Sequence, residues 1–297
     1  MKPARPFLKW VGGKTQLLPT LLYLIPKEIK TYYEPFTGGG SVFWALAEEK
    51  RFKKAVLNDW NAELTNTYTV IRDMPDQLIS QLNIFADEYT ADSEGTFDTI
   101  RAFDRDDLSQ HSKVIRAARM IFLNKTCYNG LYRVNKSGQF NSPLGKFDSP
   151  PTICDEENLR ACSDVLAEGT TIHTGDFAKV VKDAVEGDVV YFDPPYEPIS
   201  NTADFTSYTS VGFGMDDQLR LATLFKELAG RGVRAFMSNH DTPSIREMYE
   251  GFEIVTVKAR RNINSKGDSR GHVMEVIVVS HSVPKEESLF DLAMELD

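Results

Sequence analysis

Cysteine is scarce: Cys127, Cys154 and Cys162 are the only three, and none forms a Cys-x-x-Cys pair. That excludes a disulfide framework and leads to the expectation of a reducing, cytoplasmic setting. Long apolar runs are also missing. Stretches such as 17–25 are far shorter than the roughly 20 residues a membrane helix needs, so no span is expected. The first residues carry Lys2, Arg5, Lys9 and Lys14 without an apolar core and cleavage site, which leads to the expectation of no secretory signal. Five histidines (His111, His173, His240, His272 and His281) lie apart from one another and from the cysteines. No metal-ligand spacing results, and no metal is expected. Repeats and low-complexity segments are absent as well. What remains is 297 residues, 41% hydrophobic and 26% charged, an ordinary composition for one large or two modest globular domains.

Acidic residues are missing from one region in particular. The net charge is −9, yet 108–147 contains no Asp or Glu while holding Lys113, Arg116, Arg119, Lys125, Arg133, Lys136 and Lys146. Tyr128, Tyr132, Phe140 and Phe147 interleave with these cations, a pattern suited to nucleic-acid contact. A second basic block, 258–270, holds Arg260 and Arg261 among five cations against the single Asp268. Either block alone also fits a solvated basic face. The acidic stretch after Pro284 reads as a frayed tail, 284–297.

Runs rich in aromatic and β-branched residues alternate with helical periodicity. Strands are expected at 31–36, 54–58, 171–173, 188–192, 233–238, 252–258 and 272–280, and helices at 14–24, 41–51, 61–72, 176–184, 216–231 and 242–249. This order implies an α/β fold with a doubly wound, mostly parallel seven-stranded sheet whose last two strands pair antiparallel at one edge. From Met74 to Asp164 helices dominate, with a hairpin turning on Ser137-Gly138. A discontinuous sheet domain (1–65 and 165–283) interrupted by a helical insert (66–164) is the expected organisation.

The most informative stretch is Asp193-Pro194-Pro195-Tyr196 after the apolar run Val189-Val190-Tyr191-Phe192. In an open parallel sheet, ligands bind beyond the carboxyl ends of the strands, which is where this tetrapeptide falls. An exocyclic amine of a base is a weak nucleophile because its lone pair is delocalised into the ring. The Asp193 carboxylate and the Pro194 carbonyl can accept its hydrogens and favour a more tetrahedral nitrogen. Two prolines stiffen the turn, and the Tyr196 ring offers a stacking face.

Upstream, Glu34-Pro35-Phe36-Thr37-Gly38-Gly39-Gly40-Ser41 joins a strand to a helix. Adjacent glycines let a ligand approach the backbone, and a helix N-terminus favours negative charge nearby. Asp59 follows at the end of the next strand, about 20 residues on, a distance suited to ribose hydroxyls. These residues read as a nucleoside cofactor pocket that departs from the dinucleotide fingerprint. Gly13-Lys14-Thr15 fails as a P-loop because Leu8 stands where the first glycine is needed. Asn239-His240-Asp241 reads as a cap for the helix starting at Thr242 rather than a catalytic pairing.

With Phe7-Leu8-Lys9-Trp10-Val11-Gly12-Gly13-Lys14 and Asn129-Gly130-Leu131-Tyr132-Arg133 added in order, the chain resembles the Dam-type DNA adenine N6-methyltransferases, of the class that places its target-recognition insert between the cofactor and catalytic motifs. The likeness runs from about Phe7 to Val279. It implies the S-adenosylmethionine-dependent methyltransferase fold and transfer of a methyl to adenine N6 in duplex DNA, within GATC, after the adenine flips out of the stack.

By motif, the resemblance puts Trp10, Lys14, Glu34, Phe36, Gly38, Gly40, Asp59 and Asp193 at the cofactor, and Asp193, Pro194 and Tyr196 at the adenine. Lys9, Tyr128, Asn129, Leu131 and Arg133 match positions that contact or wedge the target sequence, and Asn135, Asn141 and Lys146 positions near the DNA backbone. The segment 200–213 matches a loop that orders over the flipped base. Lys9 and Arg133 can donate to guanine O6 and N7, and Leu131 can act as a wedge. Tyr128 and Leu131 can equally be core, and Arg133 a phosphate anchor. Thr126-Cys127 before Tyr128, and Lys125, depart from the family pattern, which bears on the outer base of the site and not on catalysis. The implied setting is the cytoplasm of a bacterial or phage-infected cell, near the nucleoid, as a monomer or weak dimer on double-stranded DNA. A catalytically silent DNA-binding subunit of a restriction-modification system, RNA adenine or cytosine-amine methylation, and a nicotinamide-dependent dehydrogenase stay open as alternatives.

Overall fold

The computed structural model describes residues 2–10, 12–14, 16–197, 213–260 and 272–282. Its elements run α1 (Leu18–Leu24), β1 (Tyr32–Glu34), α2 (Ser41–Glu48), β2 (Ala55–Asp59), α3 (Ala62–Asp73), α4 (Pro75–Ala91), α5 (Ser93–Ala102), α6 (Lys113–Thr126), α7 (Glu156–Ala167), β3 (Thr170–Thr174), α8 (Phe177–Val180), β4 (Val189–Phe192), α9 (Met215–Gly230), β5 (Arg234–His240), α10 (Pro243–Met248), β6 (Glu253–Arg260) and β7 (His272–Val279). The strands form one seven-stranded sheet in the order β3-β2-β1-β4-β5-β7-β6. β3, β2, β1, β4 and β5 pair in parallel, while β7 pairs antiparallel with both β5 and β6. All seven expected strands are present, and the final antiparallel pair closes one edge.

Side-chain alternation assigns residues to the two faces of the sheet. Tyr32, Val189, Tyr191 and Phe236 join one core cluster with α1, α2 and α3, whereas Tyr33, Val190, Phe192, Ala235 and Met237 join the other with α8, α9 and α10. The first cluster continues without a break into the helical insert through Leu78, Leu82, Phe85, Phe97, Met120 and Phe122. Sheet and insert therefore share one core.

Several helices are shorter than expected. α1 begins at Leu18, with a proline in its first turn, instead of at Lys14; Gly12 at φ +83° and the inward-turned Lys14 occupy the preceding segment. α2 stops at Glu48 because Lys50 adopts φ +54° and Arg51 N–H returns to the Leu46 carbonyl. The helix expected over 176–184 is a single turn, α8. Asn61 caps α3, its Oδ1 accepting from Glu63 N and Leu64 N at 3.0 and 3.2 Å. The hairpin forms where expected: Val134 bridges Phe140, and Gly138 turns it at φ +76°. None of the described helices is long and apolar enough to cross a membrane.

Candidate active site

β1 has β2 on one side and β4 on the other, so strand order reverses between β1 and β4. A crevice opens beyond the carboxyl ends of such strands. It is lined by Gly12 to Lys14, Glu34, the Thr37 to Val42 turn, Tyr191, Asp193 and Trp10. The two motifs that sequence separates by more than 150 residues thus form one pocket.

Glu34 closes β1 and is buried; the Tyr32 hydroxyl donates to its Oε2 at 2.7 Å. Burial pushes its carboxyl up to about 8, against the Tyr32 hydrogen bond. The glycine turn is clamped through its backbone. Tyr68 Oη donates to the Gly38 carbonyl at 3.0 Å, Trp44 Nε1 to the Gly39 carbonyl at 3.1 Å, and Gly38 N–H to Asp59 Oδ2 at 3.0 Å. Asp59 Oδ1 also accepts from Asn61 N at 2.9 Å. Gly38 sits at φ +49°, and a Cβ there would fall 2.8 Å from Trp10 Cδ1, so a side chain is excluded sterically and conformationally. The Trp10 ring system stacks with Tyr132 of the insert, centroids 5.5 Å apart. Phe36 packs against Phe177 and Phe213 at 5.2 and 5.6 Å.

Asp193 follows β4 on the side of the sheet that Tyr191 faces. Its Oδ1 receives Lys14 Nζ at 2.8 Å and the Ser238 hydroxyl at 2.9 Å. Burial raises its pKa, while Lys14 and Ser238 pull it back down. Lys14 Nζ also donates to the Gly12 carbonyl at 2.6 Å and lies 4.5 Å from the centroid of the Tyr196 ring, in cation–π range. The ammonium therefore bridges the carboxylate and the ring of the tetrapeptide.

A shell that sequence reasoning missed holds this tetrapeptide. Tyr196 Oη donates to Glu275 Oε2 at 3.0 Å, Gln218 Nε2 to the Pro195 carbonyl at 2.9 Å, and Glu197 N–H to Asn239 Oδ1 at 3.0 Å. Asn239 is thus a clamp and not a helix cap. Thr242 caps α10 itself, accepting from Ile245 N at 3.2 Å, and Asp241 pairs with Arg246. The polar run Ser238-Asn239-His240 at the end of an otherwise apolar strand was the available signal.

Lys9, beside the insert, and Tyr128, Asn129, Arg133, Asn141 and Lys146 on it are exposed, and Leu131 is half-buried. Tyr128 is 52% exposed, which excludes its core reading. Tyr132 and Phe140, in contrast, are buried, so only Tyr128 and Phe147 of the four interleaved aromatics present surface. Arg119 is likewise removed from the basic face: buried, it pairs with Asp104 and donates to the carbonyls of Ile100 and Arg101. Asn135 directs Oδ1 inward to Ser137 N and Gln139 N, shaping the hairpin. The buried Asn124 was missed as well. Its Oδ1 accepts from Lys9 N–H at 2.9 Å, and its Nδ2 donates to the carbonyls of Lys9 and Gly130 at 2.8 and 3.0 Å, holding Lys9 against the Tyr128–Gly130 turn. Arg260 ends β6, whereas Arg261 and all of the 200–213 loop except Phe213 lie outside the described residues, as does the tail.

Residues 10–263 match the family model for the D12 class N6 adenine-specific DNA methyltransferases. The chain belongs to that family. It is 44% identical over 279 residues to the type II methyltransferase M1.LlaDCHI of Lactococcus lactis subsp. cremoris, covering 93% of this chain and 95% of the relative. Identity to the type II methyltransferase M.MjaIII of Methanocaldococcus jannaschii is 42%, covering 93% and 99%. To the DNA adenine methylase of Vibrio cholerae serotype O1 it is 34%, covering 94% and 97%. The protein is thus an adenine-specific DNA methyltransferase, and DNA is its substrate. Cysteine chemistry has no place in its pocket: burial pushes the Cys127 thiol up to about 11, unsuited to a nucleophile.

Proposed function

We propose that this methyltransferase moves the methyl of S-adenosylmethionine to N6 of an adenine flipped out of duplex DNA, within GATC. The observation that carries the reading is the crevice lined by both the glycine turn and Asp193, which supports adjoining donor and acceptor subsites. The residues present fit the donor. Buried Glu34 can take an ammonium, the turn has no side chains to obstruct a ligand, and the N-terminus of α2 at Ser41 favours a carboxylate. When bound, S-adenosylmethionine supplies an electrophilic sulfonium methyl.

Trp10, Lys14, Gly38 and Gly40 form the walls of that subsite in this reading, and Phe36 supplies apolar surface beyond β1. Asp59, held by the Gly38 and Asn61 N–H groups, retains acceptor capacity for a ribose hydroxyl. The Asp193 carboxylate and Pro194 carbonyl accept the two amine hydrogens and localise the nitrogen lone pair toward the methyl. Tyr196 stacks on the extruded base, worth roughly 1–3 kcal/mol. The Asp193 carboxylate would take up the surplus proton of the methylated amine and pass it to solvent.

Recognition is assigned to the insert and to Lys9 beside it. Lys9 and Arg133 read guanine edges, Asn129 a neighbouring base, and Leu131 with Tyr128 fills the space the adenine vacates. Asn135, Asn141, Lys146, Arg260 and Arg261 lie along the phosphates in this reading. The test is incubation of the protein with methyl-labelled cofactor and a GATC duplex. Label on adenine N6 supports the reading; cofactor and DNA binding without label would make the chain a silent DNA-binding subunit.

A further inference from the structure

β4 and β5 run in parallel with Tyr191 opposite Phe236 and Phe192 opposite Met237. One step further along, the register brings Ser238 beside Asp193, and alternation turns Ser238 to the same face as Tyr191 and Phe236. Ser238 is fully buried. Its Oγ lies 2.9 Å from Tyr191 Oη and 2.9 Å from Asp193 Oδ1.

Proton counting fixes the direction of this chain. A serine hydroxyl has one proton, and an ionised carboxylate only accepts. Ser238 therefore donates to Asp193, which leaves Tyr191 as donor to Ser238. Burial holds the Tyr191 phenol well above its usual range, so it keeps the proton this requires. Lys14 Nζ engages the same oxygen, Oδ1. Among the described residues, Oδ2 of Asp193 takes part in no hydrogen bond.

We propose that Ser238 is a positioning residue for methyl transfer: relayed from Tyr191, its hydroxyl locks the rotation of the Asp193 carboxylate so that Oδ2 is presented to the adenine amine. Free rotation would share both oxygens between Lys14 and the base and blur the geometry that localises the amine lone pair. The inference rests on the reading that Asp193 accepts one of the amine hydrogens.

The experiment measures single-turnover methyl transfer against pH for Ser238→Ala, Ser238→Thr, Tyr191→Phe and Asp193→Ala in the full chain, together with cofactor affinity and KM for DNA. Lys14, Glu34, Tyr32, Tyr191, Tyr196 and Glu275 are the titratable groups around Asp193, and all of them are left intact in the Ser238 variants. Loss of one hydrogen bond to a charged group is expected to slow the transfer step of Ser238→Ala about tenfold or more, with cofactor affinity and KM for DNA little changed. Its acidic limb moves to higher pH, since the Ser238 hydrogen bond lowers the Asp193 pKa. Ser238→Thr recovers part of the rate, and Tyr191→Phe shows the same two effects more weakly. A wild-type rate and limb in Ser238→Ala, or a loss confined to KM, overturns the proposal. Should Ser238→Ala not fold, Tyr191→Phe decides alone, and a wild-type profile there overturns it. Asp193→Ala separates the two readings: turnover by that variant removes the catalytic reading itself, whereas an inactive Asp193→Ala beside an unaffected Ser238→Ala removes only this inference.

Discussion

Lys14 Nζ sits 2.8 Å from Asp193 Oδ1 and 4.5 Å above the Tyr196 ring, itself buried from solvent. A buried charge of this kind persists only when paired, and here the pairing ties the segment ahead of α1 to the turn after β4. Burial raises the Asp193 pKa, and the ammonium opposes that rise.

Replacing Lys14 by Met removes the largest influence lowering the Asp193 pKa. A carboxylate whose pKa rises is protonated over more of the acidic range, and a protonated carboxyl is a poorer acceptor for its amine hydrogen. The variant is expected to lose proportionally more activity at pH 6.5 than at pH 8.5. Rate profiles that differ from wild type by the same factor at both values contradict this.

Glu34 yields a stability prediction. Its carboxyl titrates near 8 when folded, against 4.5 for an unperturbed group. The folded state thus binds the extra proton between these values, and its stability falls as pH rises through that window. Glu34→Gln is neutral throughout, so its stability relative to wild type should grow from pH 5 to pH 8, by about 3–5 kcal/mol at the top. Thermal unfolding of both proteins at the two pH values checks this; parallel curves refute it.

Gly38→Ala places a Cβ 2.8 Å from Trp10 Cδ1 at a φ of +49°. Left-handed backbone alone costs an L-residue about 1–2 kcal/mol, and Trp10 cannot retreat freely because it stacks on Tyr132. The expected outcome is a lower melting temperature and weaker cofactor binding, read by calorimetry. Unchanged binding would mean that the turn does not cradle the ligand.

Arg133 is exposed on the insert and is proposed to read a guanine edge. Arg133→Ala is then expected to reduce discrimination between GATC and one-base-altered sites by about 1–3 kcal/mol. If binding weakens equally on every duplex and the ratio of rates stays constant, the side chain grips phosphate instead.

The sheet and the two motifs were legible because alternation and local punctuation are properties of consecutive residues. Val189 to Phe192 is apolar throughout because both faces are covered, and the glycines at 38 and 40 have positive φ, as a tight turn requires. What sequence could not supply is lateral. Ser238, Gln218 and Glu275 come from three further elements, brought to the Asp193 turn by strand register for Ser238 and Glu275 and by the packing of α9 for Gln218. Burial within the insert was equally hidden. Tyr132 and Tyr128 are four positions apart in one basic stretch, yet one stacks on Trp10 and the other faces solvent, a difference set by the turn at Asn129 and Gly130, both at positive φ. Helix ends were misjudged where a side chain had another task, as with Lys14, drawn into the pocket, and Thr242, which caps α10 in place of the residues before it.

The most direct measurement is mass-spectrometric mapping of modified bases in duplex DNA incubated with S-adenosylmethionine and either the wild-type protein or Asp193→Ala. N6-methyladenine confined to GATC, formed by wild type and absent with a variant that still binds DNA within a few fold, is the predicted result. Methylation at another sequence would refute the assigned specificity, and undiminished methylation by Asp193→Ala would contradict the catalytic account.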